Sequence, residues 1–147
     1  MIRRLIDNPQ LILLLRLAVA GIFIYAAYSK ILDPAAFAKS VNNYHIIPGP
    51  AVNIFALTLP WIELVAGLGI LLGFWRRASS LLINLMLVVF TMAVLIAISK
   101  GINIDCGCFT QNPEVAGDMW GVVWRDLGFI ALALPLLFSN AKGYCWK

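Results

Sequence analysis

Charge is scarce in this sequence. Only 12% of its 147 residues are Asp, Glu, Lys or Arg, where soluble chains average roughly a quarter. Histidine occurs once and cysteine three times. Low-complexity tracts and internal repeats are absent, and no resident metal site is expected. So little charge excludes a disordered chain, which needs high charge and low hydrophobicity to stay open. What fills the space is apolar: 62% hydrophobic residues and a mean hydropathy of +0.90. A domain near this size leaves about 30% of its chain surface exposed, too much for an apolar chain to present to water. A soluble monomer is therefore excluded. The formal charge of +4 resembles a nucleic-acid signal until the basic residues are located. They lie at the ends of apolar runs, where they report membrane orientation rather than phosphate contact. The expectation is an all-α integral membrane protein whose first partner is the lipid bilayer.

A bilayer core of about 30 Å needs roughly 20 apolar helical residues. Four stretches qualify, at about 11–28, 52–72, 79–98 and 120–138. Asn8 and Pro9 supply an N-cap and first-turn proline for the first. Pro48-Gly49-Pro50 breaks the chain before the second, Arg76 and Arg77 precede the third, and Asp118 is a candidate cap for the fourth. The first run is too long for a signal-peptide core and is followed by no clean cleavage site, so it reads as a retained helix. Residues 1–147 then form a single four-transmembrane-helix bundle.

Short-loop Lys and Arg set the orientation. With the N-terminus inside, the cytoplasmic side holds Arg3, Arg4, Arg76, Arg77, Lys142 and Lys147; the other side holds Lys30, Lys39 and Lys100. Both termini are then cytoplasmic. The outer loops, about 29–51 and 99–119, are long enough to carry function. In the first, Asp33-Pro34 starts a short surface helix through Phe37 to Tyr44, followed by the lone His45, a solvated residue or an acid–base group.

The second outer loop contains Asp105-Cys106-Gly107-Cys108-Phe109. Sulfurs two residues apart close a disulfide only through a tight, distorted loop, and Gly107 removes the side chain that would obstruct it. A strained, exposed disulfide is easily reduced, which suits a redox pair better than a staple. Two other readings stand beside it: a thiolate pair that captures soft metal such as Cu(I), and two incidental small residues. Cys145 falls on the cytoplasmic side and carries little functional weight.

Charge within a span costs at least roughly 2.5–3.5 kcal/mol per residue, so each instance needs a partner or a purpose. Arg16, Glu63, Arg125 and Asp126 are such instances. Helical spacing groups Arg16, Ala20, Phe23 and Ala27 on one stripe, and Ala56, Pro60, Glu63 and Gly67 on a second. Ser80, Asn84, Leu87 and Thr91 make a third, and Gly121, Arg125, Gly128 and Leu132 a fourth. These stripes of small and polar residues are expected to converge, with Glu63 paired to Arg16 or Arg125. The pair would fix packing, or belong to a proton path or headgroup site beneath the cysteines. Tyr25, Tyr28, Trp61, Trp120 and Trp124 form an outer aromatic belt; alternatively Trp120, Trp124 and Arg125 wall a flat site for a carrier such as a membrane quinone.

The early helix ending in Tyr28-Ser29-Lys30 and Asp33-Pro34, the segment Leu59-Pro60-Trp61-Ile62-Glu63-Leu64-Val65-Ala66-Gly67, the Asp105-Cys106-Gly107-Cys108-Phe109 loop and Arg125-Asp126 together resemble the MauE group of DoxX-like membrane proteins. The resemblance covers nearly the whole chain. It implies a four-helix bacterial inner-membrane protein associated with thiol–disulfide chemistry. Its members are linked to maturation of methylamine dehydrogenase and often accompany a thioredoxin-like partner. It singles out Glu63, Cys106, Cys108 and Arg125. A lone Cys-x-Cys departs from the two cysteine pairs of a self-sufficient disulfide-generating membrane enzyme, so electrons would need a partner or a direct cysteine–quinone step. The leading expectation is a redox module in which Cys106 and Cys108 exchange with an exported protein. Arg125 would stabilise the thiolate or a carrier, and Glu63 would accept a proton or pair with a buried arginine. The rivals are a transporter or soft-metal relay and a non-catalytic assembly factor.

Overall fold

The computed structural model describes residues 8–73, 75–101 and 119–138. All regular structure among them is helical. The elements are α1 (Pro9–Leu32), α2 (Pro34–Asn43), α3 (Gly49–Leu72), α4 (Arg76–Ser99) and α5 (Met119–Phe138). All but α2 are long and apolar enough to cross a membrane, making this a multi-pass membrane protein.

Local chemistry sets the helix ends. The Asn8 side chain accepts from the Gln10 N–H at 3.1 Å, and Pro9 occupies the first turn, where its missing N–H costs nothing. Asp33 ends α1 and also caps α2, its Oδ1 accepting from the Ala36 N–H at 2.9 Å. A single residue thus turns the chain from a spanning helix into a short amphipathic one. α3 ends at Gly73, whose φ of +75° is the left-handed conformation that glycine adopts without a Cβ penalty.

The spanning helices pack in the cyclic order α1, α3, α4, α5, with the α1–α3 and α4–α5 pairs the most extensive. Neighbours run antiparallel: Arg16 near the start of α1 meets the end of α3, and Ser80 near the start of α4 donates to the Ala133 carbonyl near the end of α5 at 3.0 Å. α1 and α3 approach closely at Gly67, where a Cβ would stand 3.0 Å from Ile24 Cγ1. One hydrophobic cluster, including Val19, Phe23, Ile70, Ile83 and Leu136, joins the four spans. At one end α2 lays Phe37 and Val41 against Val52 and Ala56 of α3. Tyr44, just after α2, enters a third cluster with Val94, Ala97 and Val123 and stands edge-on to Phe90 at 6.2 Å. Outside these seams the helices expose Leu57, Val65, Leu85 and Val89, the apolar exterior that lipid solvates.

The expected short surface helix is therefore present, and the expected spans lengthen by one to four residues at most ends. Three of the four expected stripes are buried in full: Arg16 to Ala27, Ala56 to Gly67, and Ser80 to Thr91. The stripe on α5 is corrected. Gly121 and Gly128 are exposed, as is Leu132 at the margin, whereas Val123, Asp126, Ala133 and Leu136 are buried. Glycines on this helix face outward; a Cβ at Gly128 would meet nothing within 4 Å.

Candidate functional site

Four ionisable side chains are buried among the described residues: Arg16, Lys30, Glu63 and Asp126. Arg16 serves the fold. Its Nε donates to the Ile70 carbonyl and its Nη2 to the Leu71 carbonyl, each at 3.1 Å. Carbonyls in the last turn of a helix have no partner within it, and the helix dipole makes that end negative. A planar, permanently charged fork answers both needs. Gly73 leaves room for it, since a Cβ there would lie 2.6 Å from Arg16 Nη2.

Glu63 is not paired with Arg16 or Arg125. Its partner is Lys30, in the last turn of α1, whose Nζ donates to Glu63 Oε1 at 2.7 Å and Oε2 at 2.8 Å. Both side chains are more than nine-tenths buried. Phe37 of α2 closes the site, its ring centroid 5.0 Å from the ammonium. Three helices thus meet at one ion pair. The pairing corrects two expectations, because Lys30 is an interior residue of α1 rather than a loop marker of orientation. Its position was available in the spacing: the stripe of Arg16, Ala20, Phe23 and Ala27 reaches Lys30 with one further step of three. Arg16 instead stands about 21 Å earlier along α1, toward its other end.

Arg125 turns to its neighbour Asp126, Nη2 to Oδ1 at 3.1 Å and Nε to Oδ1 at 3.3 Å. Its guanidinium also lies 5.9 Å from the Phe129 ring centroid. Asp126 is the buried member and Arg125 reaches in from the half-buried rim. Register relates this pair to the first. Ser80 meets Ala133, so Asp126 lies level with Leu87; Leu72 and Arg76 flank the α3–α4 link, so Glu63 lies level with Leu85. At about 1.5 Å per residue the two carboxylate-bearing positions differ by about 3 Å in depth. One residue from the level of Glu63, α4 carries Asn84, whose Oδ1 is buried with no hydrogen-bond partner among the described residues.

Trp120 and Trp124 are 56% and 71% exposed on the outward side of α5, as an aromatic belt would be. His45 is exposed, at φ +50°. Cys106, Cys108, Cys145 and the capping candidate Asp118 lie outside the described residues. The ends of the segment that holds Cys106, Cys108 and Asp118 do not: Gly101 follows α4 and Met119 opens α5, both at the end of the bundle that α2 covers.

An all-helical, multi-pass membrane bundle with charged pairs in its interior is the class defined by this geometry. Within that class the chain belongs to one family, because the family model of methylamine utilisation protein MauE matches residues 8–139. Similar proteins carry the same description. Methylamine utilization protein MauE of Paracoccus denitrificans is 32% identical over 130 residues, covering 88% of this chain and 69% of that protein. Those of Methylophilus methylotrophus and Methylorubrum extorquens are each 30% identical, over 88% and 92% of this chain and 69% and 73% of theirs. No solved structure matches the chain.

Proposed function

We propose that this chain is a thiol–disulfide redox module of a bacterial inner membrane, with its Cys-Gly-Cys segment on the extracytoplasmic side. Cys106 or Cys108 attacks a disulfide of a thioredoxin-like or maturing exported protein as a thiolate. The mixed disulfide that forms is resolved by the second cysteine. The module's dithiol becomes a disulfide, the partner's disulfide becomes a dithiol, and the reverse sequence regenerates the start. Electrons pass only between the two proteins, so no further oxidant enters the exchange. The relatives' names favour a partner connected with methylamine utilisation.

One observation carries the reading. Gly101 and Met119 stand at the bundle end bearing α2, and the basic residues that mark orientation, six on the other side against Lys39 and Lys100 on this one, favour an extracytoplasmic position for it. Oriented vesicles containing wild type and Cys106→Ser, treated with a membrane-impermeant thiol reagent before and after reduction, provide the test. Labelling from outside that requires reduction in wild type, and needs none in Cys106→Ser, is expected. Thiols that are free throughout and protected by Cu(I) would establish a metal relay instead. With Cys145 replaced by Ser in both proteins, labelling from the cytoplasmic side would overturn the orientation.

A further inference from the structure

The Lys30–Glu63 pair differs from the other buried charges in being closed by a separate element. Both Glu63 oxygens accept from Nζ, and Phe37, itself only 3% exposed, covers the ammonium. Packing alone does not call for ions here, since an apolar pair of similar volume would avoid the desolvation cost in hydrocarbon. With both partners charged the site carries no net charge. Few other charges surround it. On α1 Arg16 is committed to the far end of α3; beside α2, Asp33, Lys39 and His45 are exposed. α4 has no ionisable side chain between Ser79 and Ser99, and on α5 Arg125 and Asp126 bond each other.

We propose that Lys30 and Glu63 form an occluded proton-binding site whose loading releases α2 from the end of the bundle. One proton from water at that end adds to a Glu63 carboxylate oxygen, forming an O–H bond and a neutral carboxylic acid. Lys30 keeps its three protons, so the site passes from zero to one positive charge. An ammonium without its counter-ion is costly in a low-dielectric interior. From the last turn of α1 its shortest way to water is to extend its stem toward the α2 end. Phe37 lies across that way, and α2 must lift for Lys30 to pass. Tyr44, packed among Phe90, Ala97 and Val123, carries the movement to the helix ends from which segment 102–118 departs. The inference stands independently of the thiol–disulfide reading, since none of its groups is a cysteine.

The full chain in lipid nanodiscs tests it, by amide hydrogen exchange of residues 34–44 across neutral to acidic pH, referred to intrinsic rates, and by infrared spectroscopy. Wild type is expected to lose protection over 34–44 on acidification, as a protonated carboxyl C=O band absent from Glu63→Gln appears. Glu63→Gln should exchange over 34–44 on the order of 100-fold faster at neutral pH, as expected when one buried charge loses its partner, and independently of pH. Lys30→Met/Glu63→Leu should stay protected at every pH. The proposal fails if wild type shows neither the band nor a pH-dependent change. It also fails if Glu63→Gln is as protected as wild type, or if the double variant exchanges like Glu63→Gln. Loss of protection throughout α3 in Glu63→Gln would make the pair a packing element and equally sink the idea.

Discussion

At the scale of single residues, interior charge in this protein sorts by what each group can reach. Arg16, with a rigid fork, satisfies two carbonyls at the end of α3, whereas Lys30, a single ammonium on a flexible stem, meets one carboxylate. The two are not interchangeable. Arg16→Lys should lower bundle stability by roughly 2 kcal/mol, the range for hydrogen bonds from charged donors. Gly73→Ala should cost a similar ~1–3 kcal/mol through its backbone conformation alone, and more because its Cβ meets Arg16 Nη2. Thermal unfolding followed by circular dichroism in detergent checks both; an unchanged Tm in either would mean that Arg16 does not cap α3. Sequence alone identified Arg16, Glu63 and Arg125 as charges needing an explanation, because the cost of charge in lipid is independent of fold. It assigned the wrong partner to Glu63, because a side chain as long as lysine's reaches well beyond its own position on the helix, and loop residues and last-turn residues look alike in a linear chain.

At the scale of elements, the lesson is rotational. Periodicity placed the buried faces of α1, α3 and α4 correctly, since their small and polar residues coincide with their seams. On α5 the two rules part. Gly121 and Gly128 mark one face, whereas Val123, Asp126, Ala133 and Leu136 form the seam, one residue and about 100° away. Small residues indicate close approach only where a neighbour is present. Gly67 has one, in Ile24; Gly128 has none within 4 Å. Gly67→Leu should therefore destabilise the protein by about 1–3 kcal/mol through overpacking, and Gly128→Leu should stay within about 0.5 kcal/mol as an outward substitution. Chemical unfolding of the two variants side by side decides the point, and the reverse ranking would return α5 to the glycine-inward rotation.

At the scale of the whole molecule, four antiparallel spans put the α3–α4 link on the opposite side of the bilayer from α2. A protease site inserted after Lys39 should be cut from one side of sealed vesicles, and one inserted at the 73–75 link only from the other. Cleavage of both from one side would break the antiparallel order. The number of spans, their approximate limits, their lipid-facing exteriors and the short helix at Asp33-Pro34 were all determined by sequence alone. These follow from length, hydropathy and caps, which act within a few residues along the chain. Membership of a family was likewise legible in a handful of segments. What only the tertiary structure decided is which charge meets which: Lys30 with Glu63 beneath Phe37, Arg16 with the end of α3, Arg125 with its neighbour Asp126. The physical reason is that in a bilayer every helix is apolar all round. Hydrophobicity therefore does not orient one helix against another, and rotation and pairing are settled by close packing and by the few polar groups that must find each other away from water.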